Sequence, residues 1–243
     1  MASRRLQVIA YRGASAHAPG NTRAAFDLAI SQGVDGFQFD VRLSSDGVAV
    51  LCHDDTVDRI SDGKGRVGEL TIESLKALDF GAWRGASFAG QRILTLTEML
   101  DEYAGRTCSL IVEVKERGLA IPVVREVQQR GIYDRILVTS FLREVLTSIR
   151  TLDPKITCGW LLTKNSTVTP IEVKNSSFSY YCPNVADLTD GVVDDAHGIG
   201  LLVFPWGVAN LSEAERMLDF GVDSFGYHDP VELIGLLKRG GLR

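Results

Sequence analysis

Eight short apolar stretches recur along this chain, near residues 8, 39, 111, 137, 159, 180, 203 and 223, and amphipathic helical stretches alternate with them. Runs such as Leu110-Ile111-Val112-Glu113-Val114 and Leu201-Leu202-Val203-Phe204 are apolar almost without a break. That is the pattern of strands buried on both faces, and strand–helix alternation calls for a parallel sheet with helices outside it. Eight repeats in 243 residues fit a closed (β/α)8 TIM barrel of the α/β class better than an open doubly wound sheet. No Gly-x-Gly-x-x-Gly follows the first strand, which counts against a dinucleotide fold.

A further apolar run, Val48 to Cys52, reads as a hairpin arm off the second strand. Residues 54–92 then break the rhythm with a turn-rich loop at 58–65, a short helix with Thr71 as its N-cap, and a Gly/Ala/Trp/Phe loop. This insertion is too short and too broken to fold alone, so the chain reads as one barrel domain over 1–243. The net charge of −5 comes from scattered acids and argues against a nucleic-acid partner. Cys52, Cys108, Cys158 and Cys182 are far apart in sequence and read as buried free thiols in a reducing compartment. There is no apolar leader and no run of the roughly 18 residues that a membrane span needs, so the expectation is a cytoplasmic protein.

In a barrel, chemistry belongs at the C-terminal ends of the strands. Those ends carry Tyr11 and Arg12, Gln38 and Asp40, His53, Glu113 and Lys115, Ser140, Cys182, Trp206, and Tyr227-His228. Such polarity is costly as mere filling for a barrel interior. A phosphate with a divalent cation satisfies it: Arg12 and Lys115 grip the anion, and Asp40 and Glu113 offer oxygens to the metal. The competing role for the carboxylates is an internal ion pair with Lys115 or Arg12. For Trp206, contact with an apolar part of a substrate competes with capping of the barrel. His17 and His197 receive no role.

The N-terminal stretch resembles the glycerophosphodiester phosphodiesterase family. That family shows His-Arg-Gly after the first strand, Pro-Glu-Asn-Thr at the helix start, Glu-x-Asp on the second strand and His-Asp after the hairpin. Here those places read Tyr11-Arg12-Gly13, Pro19-Gly20-Asn21-Thr22, Gln38-Phe39-Asp40 and His53-Asp54. Later, Trp206-Gly207-Val208-Ala209 stands where the family has Trp-Thr-Val-Asn. Gly221-Val222-Asp223-Ser224-Phe225 stands where it has Gly-Val-Asp-Gly-Ile. The resemblance covers nearly the whole chain. It implies phosphoric diester hydrolysis in lipid metabolism by two histidines, with three carboxylates holding a divalent metal and the insertion lying over the barrel mouth.

Carried over residue by residue, the resemblance assigns His53 as one catalytic histidine. Arg12 and Lys115 become phosphate groups, and Asp40 and Glu113 metal ligands. The first histidine falls on Tyr11, the third metal carboxylate on Gln38 and the loop glutamate on Gly20. Tyrosine, with a reference pKa of about 10, is a poor base near neutrality. Glutamine offers a cation an oxygen but no charge, so Mg²⁺ or Ca²⁺ affinity should fall. Two readings follow. One is a divergent or repurposed phosphate-ester enzyme using His53, Arg12 and Lys115, with Tyr11 as acid or orienting group. The other is a catalytically silent protein whose pocket still binds a phosphate-containing ligand or a protein partner.

Overall fold

The computed structural model describes residues 6–107 and 109–243. In chain order the elements are β1 (Gln7–Tyr11), α1 (Arg23–Ser31), β2 (Gly36–Leu43), β3 (Ala49–Leu51), α2 (Ile72–Ala77), α3 (Leu96–Tyr103), β4 (Ser109–Val114) and α4 (Ala120–Arg130). There follow β5 (Ile136–Ser140), α5 (Arg143–Leu152), β6 (Thr157–Leu161), α6 (Pro170–Asn175), β7 (Tyr180–Cys182), α7 (Asp190–Gly198), β8 (Leu202–Val203), α8 (Leu211–Asp219), β9 (Ser224–Tyr227) and α9 (Pro230–Arg239).

The strands pair in parallel in the order β8-β7-β6-β5-β4-β2-β1-β9, and β3 lies antiparallel on β2. The result is a nearly closed eight-stranded parallel barrel with the helices outside, as the alternating pattern predicts. At the seam between β8 and β9, Asp223 takes the place of a ladder. Its N–H donates to the Val203 carbonyl at 3.1 Å, and its carboxylate accepts from the Val203 N–H at 2.7 Å. Asp35 treats Val8 the same way, at 3.0 and 2.8 Å. Each aspartate ends a Gly-Val-Asp turn before a strand, so one local device secures two places at the N-terminal rim.

Local chemistry sets the helix starts. Thr95 and Glu98 form the predicted capping box at α3, and Thr71 caps α2. Pro170 opens α6 behind Thr169, which caps it. Gly131 ends α4 in the left-handed conformation, at φ 62°. Two of the predicted strands come out shorter. β7 covers only Tyr180–Cys182 and β8 only Leu202–Val203, though beyond β8 Phe204 and Trp206 still donate to the Tyr181 and Pro183 carbonyls and Trp206 makes a parallel bridge to Asn184.

Alternation along the strands divides the core. Val8, Ala10, Phe37, Phe39, Val112, Val138, Phe225 and Tyr227 face the helices. Ile9, Ile111, Leu137, Leu161, Cys182 and Phe204 fill the barrel interior. Residues two further along the strands, including Tyr11, Glu113 and Trp206, therefore form the next layer up, at the mouth. A smaller cluster of Val50, Cys52, Val57, Val67, Leu75, Phe80 and Ile93 roots the insertion on β3. Cys52, Cys158 and Cys182 are buried free thiols, and burial pushes the first two up to about 12. Cys108 lies outside the described residues. No helix of the described residues is long and apolar enough to cross a membrane.

Candidate active site

Arg12 leaves β1 in the left-handed region, at φ 57°, and Gly13 follows at φ 79°. A Cβ at Gly13 would lie 2.6 Å from the Ala25 backbone, so only glycine lets the chain turn this close to α1. The Arg12 N–H donates to the Gln38 carbonyl at 2.8 Å, and the Arg12 carbonyl accepts from the Asn21 N–H at 3.0 Å. Asn21 also has positive φ. Unusual backbone conformations on a non-glycine pair at a barrel mouth mark a place where geometry is held for a purpose.

The centre of the mouth is a charge cluster around Asp40, which is fully buried. Lys115 Nζ lies 2.9 Å from Asp40 Oδ1 and also pairs with Glu113 Oε1. Arg12 Nε stands 3.0 Å from Asp40 Oδ2, an ion pair without the alignment of a hydrogen bond. Asn21 Nδ2 donates to the same oxygen at 3.0 Å. Gln38 Nε2 donates to Asp40 Oδ1 at 3.2 Å and to Glu113 Oε2 at 3.3 Å.

The two carboxylates respond in opposite directions. Burial alone would raise Asp40, but Lys115 and then Arg12 more than offset it and hold it well below the usual carboxylate range. Burial, followed by the Asp40 charge, pushes Glu113 upward. Asp40 wins because it has two cations and an amide donor, whereas Glu113 has only Lys115 for a cation. Tyr11 accepts a hydrogen bond from Arg12, and burial followed by Asp40 raises its phenol far above the ordinary value.

His53 follows β3 at the rim. Its Nδ1 lies 2.7 Å from Asp54 Oδ1, while Arg59 Nε holds the other Asp54 oxygen at 2.8 Å. Burial lowers the His53 pKa despite that carboxylate. The ring is thus oriented through Nδ1, which leaves Nε2 as the free nitrogen. His53, Tyr11, Glu113 and Lys115 line one cavity of about 470 Å³ with Trp206 and Phe141. Those two aromatics meet edge to face at 5.2 Å, and Trp206 Nε1 donates to the Leu162 carbonyl at 2.8 Å. A side cavity of about 210 Å³ adjoins Arg12 and His53. Gly20 leaves it open, and Arg59 and Arg84 of the insertion wall it.

The residues expected to bind metal, Asp40, Glu113 and Gln38, do converge. The cation their oxygens hold here is Lys115. Every carboxylate oxygen of the pair already accepts from Lys115, Arg12, Asn21 or Gln38, and the Gln38 amide turns its N–H₂ toward both acids. Gln38 Oε1 is buried and has no hydrogen-bond partner. Among the described residues no group of three or more His, Cys, Asp or Glu side chains is placed to hold a metal ion. As arranged, this donor set does not fit a firmly held divalent ion.

The family model described as the glycerophosphoryl diester phosphodiesterase family matches residues 12–232. The chain belongs to this family. A glycerophosphodiester phosphodiesterase of Caldanaerobacter subterraneus is 33% identical over 96% of this chain and 98% of its own length. An Oleispira antarctica phosphodiesterase, solved in complex with the product sn-glycerol-3-phosphate, superposes with a TM-score of 0.89 at 28% identity, over 96% of each chain. A glycerophosphodiester phosphodiesterase of Agrobacterium tumefaciens superposes at 0.84 with 27% identity, over 95% of this chain and 99% of its own. Within this family frame, sequence reasoning placed Tyr11, Arg12, Gln38, Asp40, His53, Glu113, Lys115 and Trp206 at one mouth, and all of them are found there. It placed His228 at a strand end without a specific role and Asn21, which braces Asp40, only within a motif, and it passed over Phe141, which shares the cavity with His228. For Asn21 the signal was an asparagine beside glycine in a turn; for His228 it was the strand register, which the sequence alone does not supply.

Proposed function

We propose that this chain hydrolyses a phosphodiester of the glycerophosphodiester class, with Arg12 and Lys115 holding the phosphate and His53 activating water. The observation that carries this reading is the convergence of a carboxylate-oriented imidazole and Lys115 on one cavity with an apolar wall, with Arg12 lining the adjoining cavity that His53 also borders. His53, lowered in pKa by burial, is neutral near pH 7 and can take a proton at Nε2. The attacking water forms its O–P bond as that proton leaves, and the bond from phosphorus to the leaving oxygen breaks. Arg12 and Lys115 then face the developing charge on the phosphoryl oxygens. Tyr11 is suited to steady Arg12, since its raised phenol gives up a proton even less readily than an ordinary tyrosine. Trp206 and Phe141 offer an apolar wall to the substrate's remaining part. The product bound to the Oleispira relative supports glycerol 3-phosphate as the phosphate half.

The test is turnover of glycerophosphocholine and glycerophosphoethanolamine, followed as release of glycerol 3-phosphate, with and without a chelator. Turnover that disappears in His53→Ala supports the reading. Absence of turnover across a diester panel with Mg²⁺, Ca²⁺ and Mn²⁺, together with calorimetric binding of glycerol 3-phosphate, favours the anion-binding alternative. That alternative draws on one observation: the family's first histidine and third metal carboxylate are here replaced by Tyr11 and Gln38.

A further inference from the structure

Hydrolysis of an alkyl phosphodiester needs two proton transfers, one from the attacking water and one to the leaving oxygen. His53 can serve the first. Tyr11, standing where the family has its other histidine, is a much weaker acid for the second than an imidazolium would be, since burial raises its phenol. The chain has 4 histidines, all among the described residues. His17 Nε2 lies 2.8 Å from Asp229 Oδ2, and His197 Nε2 lies 2.9 Å from Asp223 Oδ2. The other two, His53 and His228, line the same cavity.

His228 comes one residue after β9, the strand beside β1. The register pairs Val8 with Phe225, Ile9 with Gly226 and Ala10 with Tyr227. The next residues along, Tyr11 and His228, both line the mouth cavity. Gly226 lines it too. Below His228, Gly226 lies next to Tyr11, where a Cβ would make ordinary contact with Tyr11 Cδ2 at 3.5 Å. The backbone around His228 is pinned. Its carbonyl accepts from the Ala16 N–H at 3.0 Å, the Asp229 carboxylate caps α9 at Glu232, and the Tyr227 ring packs on the His228 ring with centroids 4.6 Å apart. Strand order sets His53 and His228 on opposite sides of β1, since β3 reaches β1 through β2.

We propose that His228 donates the proton to the leaving oxygen, the imidazole having moved one strand over from β1 to β9. The inference rests on the phosphodiesterase reading. In the step, water gives its proton to His53 Nε2 and its oxygen bonds to phosphorus. The bond from phosphorus to the leaving oxygen breaks with its electron pair, and the His228 imidazolium protonates that oxygen. The products are a phosphomonoester and an alcohol, and proton exchange with water resets both rings. Imidazole is the side chain able to do this near neutral pH.

The test compares His228→Asn with the parent on glycerophosphocholine and on bis(p-nitrophenyl) phosphate, whose phenolate leaves without a proton. The expected result is a loss of roughly 10²–10⁴-fold on the alkyl diester, a far smaller loss on the aryl diester, and disappearance of the alkaline limb of kcat/KM. Tyr11→Phe keeps that limb. Calorimetric affinity for glycerol 3-phosphate, unchanged in His228→Asn, shows that the mouth is intact. Equal losses on both substrates, or an alkaline limb that survives in His228→Asn, overturns the inference while leaving the hydrolase reading standing. A parent inactive on every diester overturns the hydrolase reading itself.

Discussion

Two layers of the same barrel interior, two residues apart along the same strands, are built on opposite principles. The lower layer of Ile9, Ile111, Leu137, Leu161, Cys182 and Phe204 has no charge and needs none. The upper layer puts Asp40, Glu113, Lys115 and Arg12 into nearly the same degree of burial. The lower layer is held by packing, whose loss is felt as stability. The upper layer is held by mutual neutralisation, where each charge is tolerable only while its partners stay. The difference teaches that a single step along a strand here separates what keeps the barrel closed from what it does.

The largest expected effect is a double dissociation between the layers. Ile111→Ala should cost about 2–5 kcal/mol of stability, because the methylenes removed leave a cavity in a closed ring of side chains. Its turnover per folded molecule should stay near that of the parent. His53→Ala should do the reverse: its ring is at the half-exposed rim, so melting moves little while hydrolysis falls roughly 10²–10⁴-fold. Thermal melts and steady-state kinetics on the same preparations measure both. If Ile111→Ala loses activity as heavily as His53→Ala while still folded, the layers are not separable and the comparison fails.

Next in size is the effect of giving the upper layer its third carboxylate. Gln38→Glu replaces an amide that donates to Asp40 and Glu113 with an acid that repels both. Without metal this variant should melt below the parent. With Ca²⁺ at about 100 times its dissociation constant it should regain about 2.7 kcal/mol, or roughly 5–10 °C for a chain of this size. The parent's melt should not respond to Ca²⁺, since Lys115 already holds the oxygens. A parent stabilised by Ca²⁺ as strongly as the variant would show that Lys115 yields its place readily. Gly20→Glu is a poorer restoration than the sequence suggests, because a Cβ at residue 20 would press on Arg12 Cβ at 3.1 Å.

A smaller effect follows from Glu113. Its folded pKa is raised, by burial first and then by Asp40, above the unfolded value of about 4.3. A carboxyl shifted this way contributes stability below its unfolded pKa and loses it as pH rises through the folded pKa. Glu113→Gln removes that dependence. Relative to the parent, the variant should therefore gain stability as pH rises from about 4 to about 8. Urea melts at the two pH values measure it. A difference that shrinks or reverses with pH would mean that Lys115, not burial, governs Glu113.

The fold was legible because strands buried on both faces write themselves as apolar runs, and eight such runs between helices leave few architectures open. Where legibility failed, a side chain had replaced the backbone. The run Leu201–Phe204 reads as a strand paired on both sides, yet toward β9 the Asp223 carboxylate takes the Val203 N–H in place of a backbone ladder. The site was legible as a set because polar residues at period two on such strands have nowhere else to point. What stayed hidden was pairing. The sequence left the acids two partners, a metal or an ion pair with Lys115 or Arg12, and nothing in Gln38-Phe39-Asp40 chooses between them; nothing in Tyr227-His228 says that Tyr11 is its neighbour. Both facts depend on register between strands remote in sequence.

The smallest expected effect separates frame from contact at Trp206, the aromatic of the upper layer that faces neither acid. Its ring meets Phe141 edge to face, and its Nε1 donates to the Leu162 carbonyl. Trp206→Phe keeps an aromatic face but orphans that carbonyl, at a cost of about 1 kcal/mol. If the ring also touches substrate, the smaller face should raise KM for glycerophosphocholine by about 1 kcal/mol of lost contact, some fivefold, with kcat unchanged. Uniform binding lost from a wall remote from phosphorus reads out in KM alone, whereas a frame that lets Lys115 or His53 drift reads out in kcat. A stability loss with neither constant moved would make Trp206 a strut between β6 and β8, and the apolar wall for the leaving group would have to be sought at Phe141 and Leu161 instead.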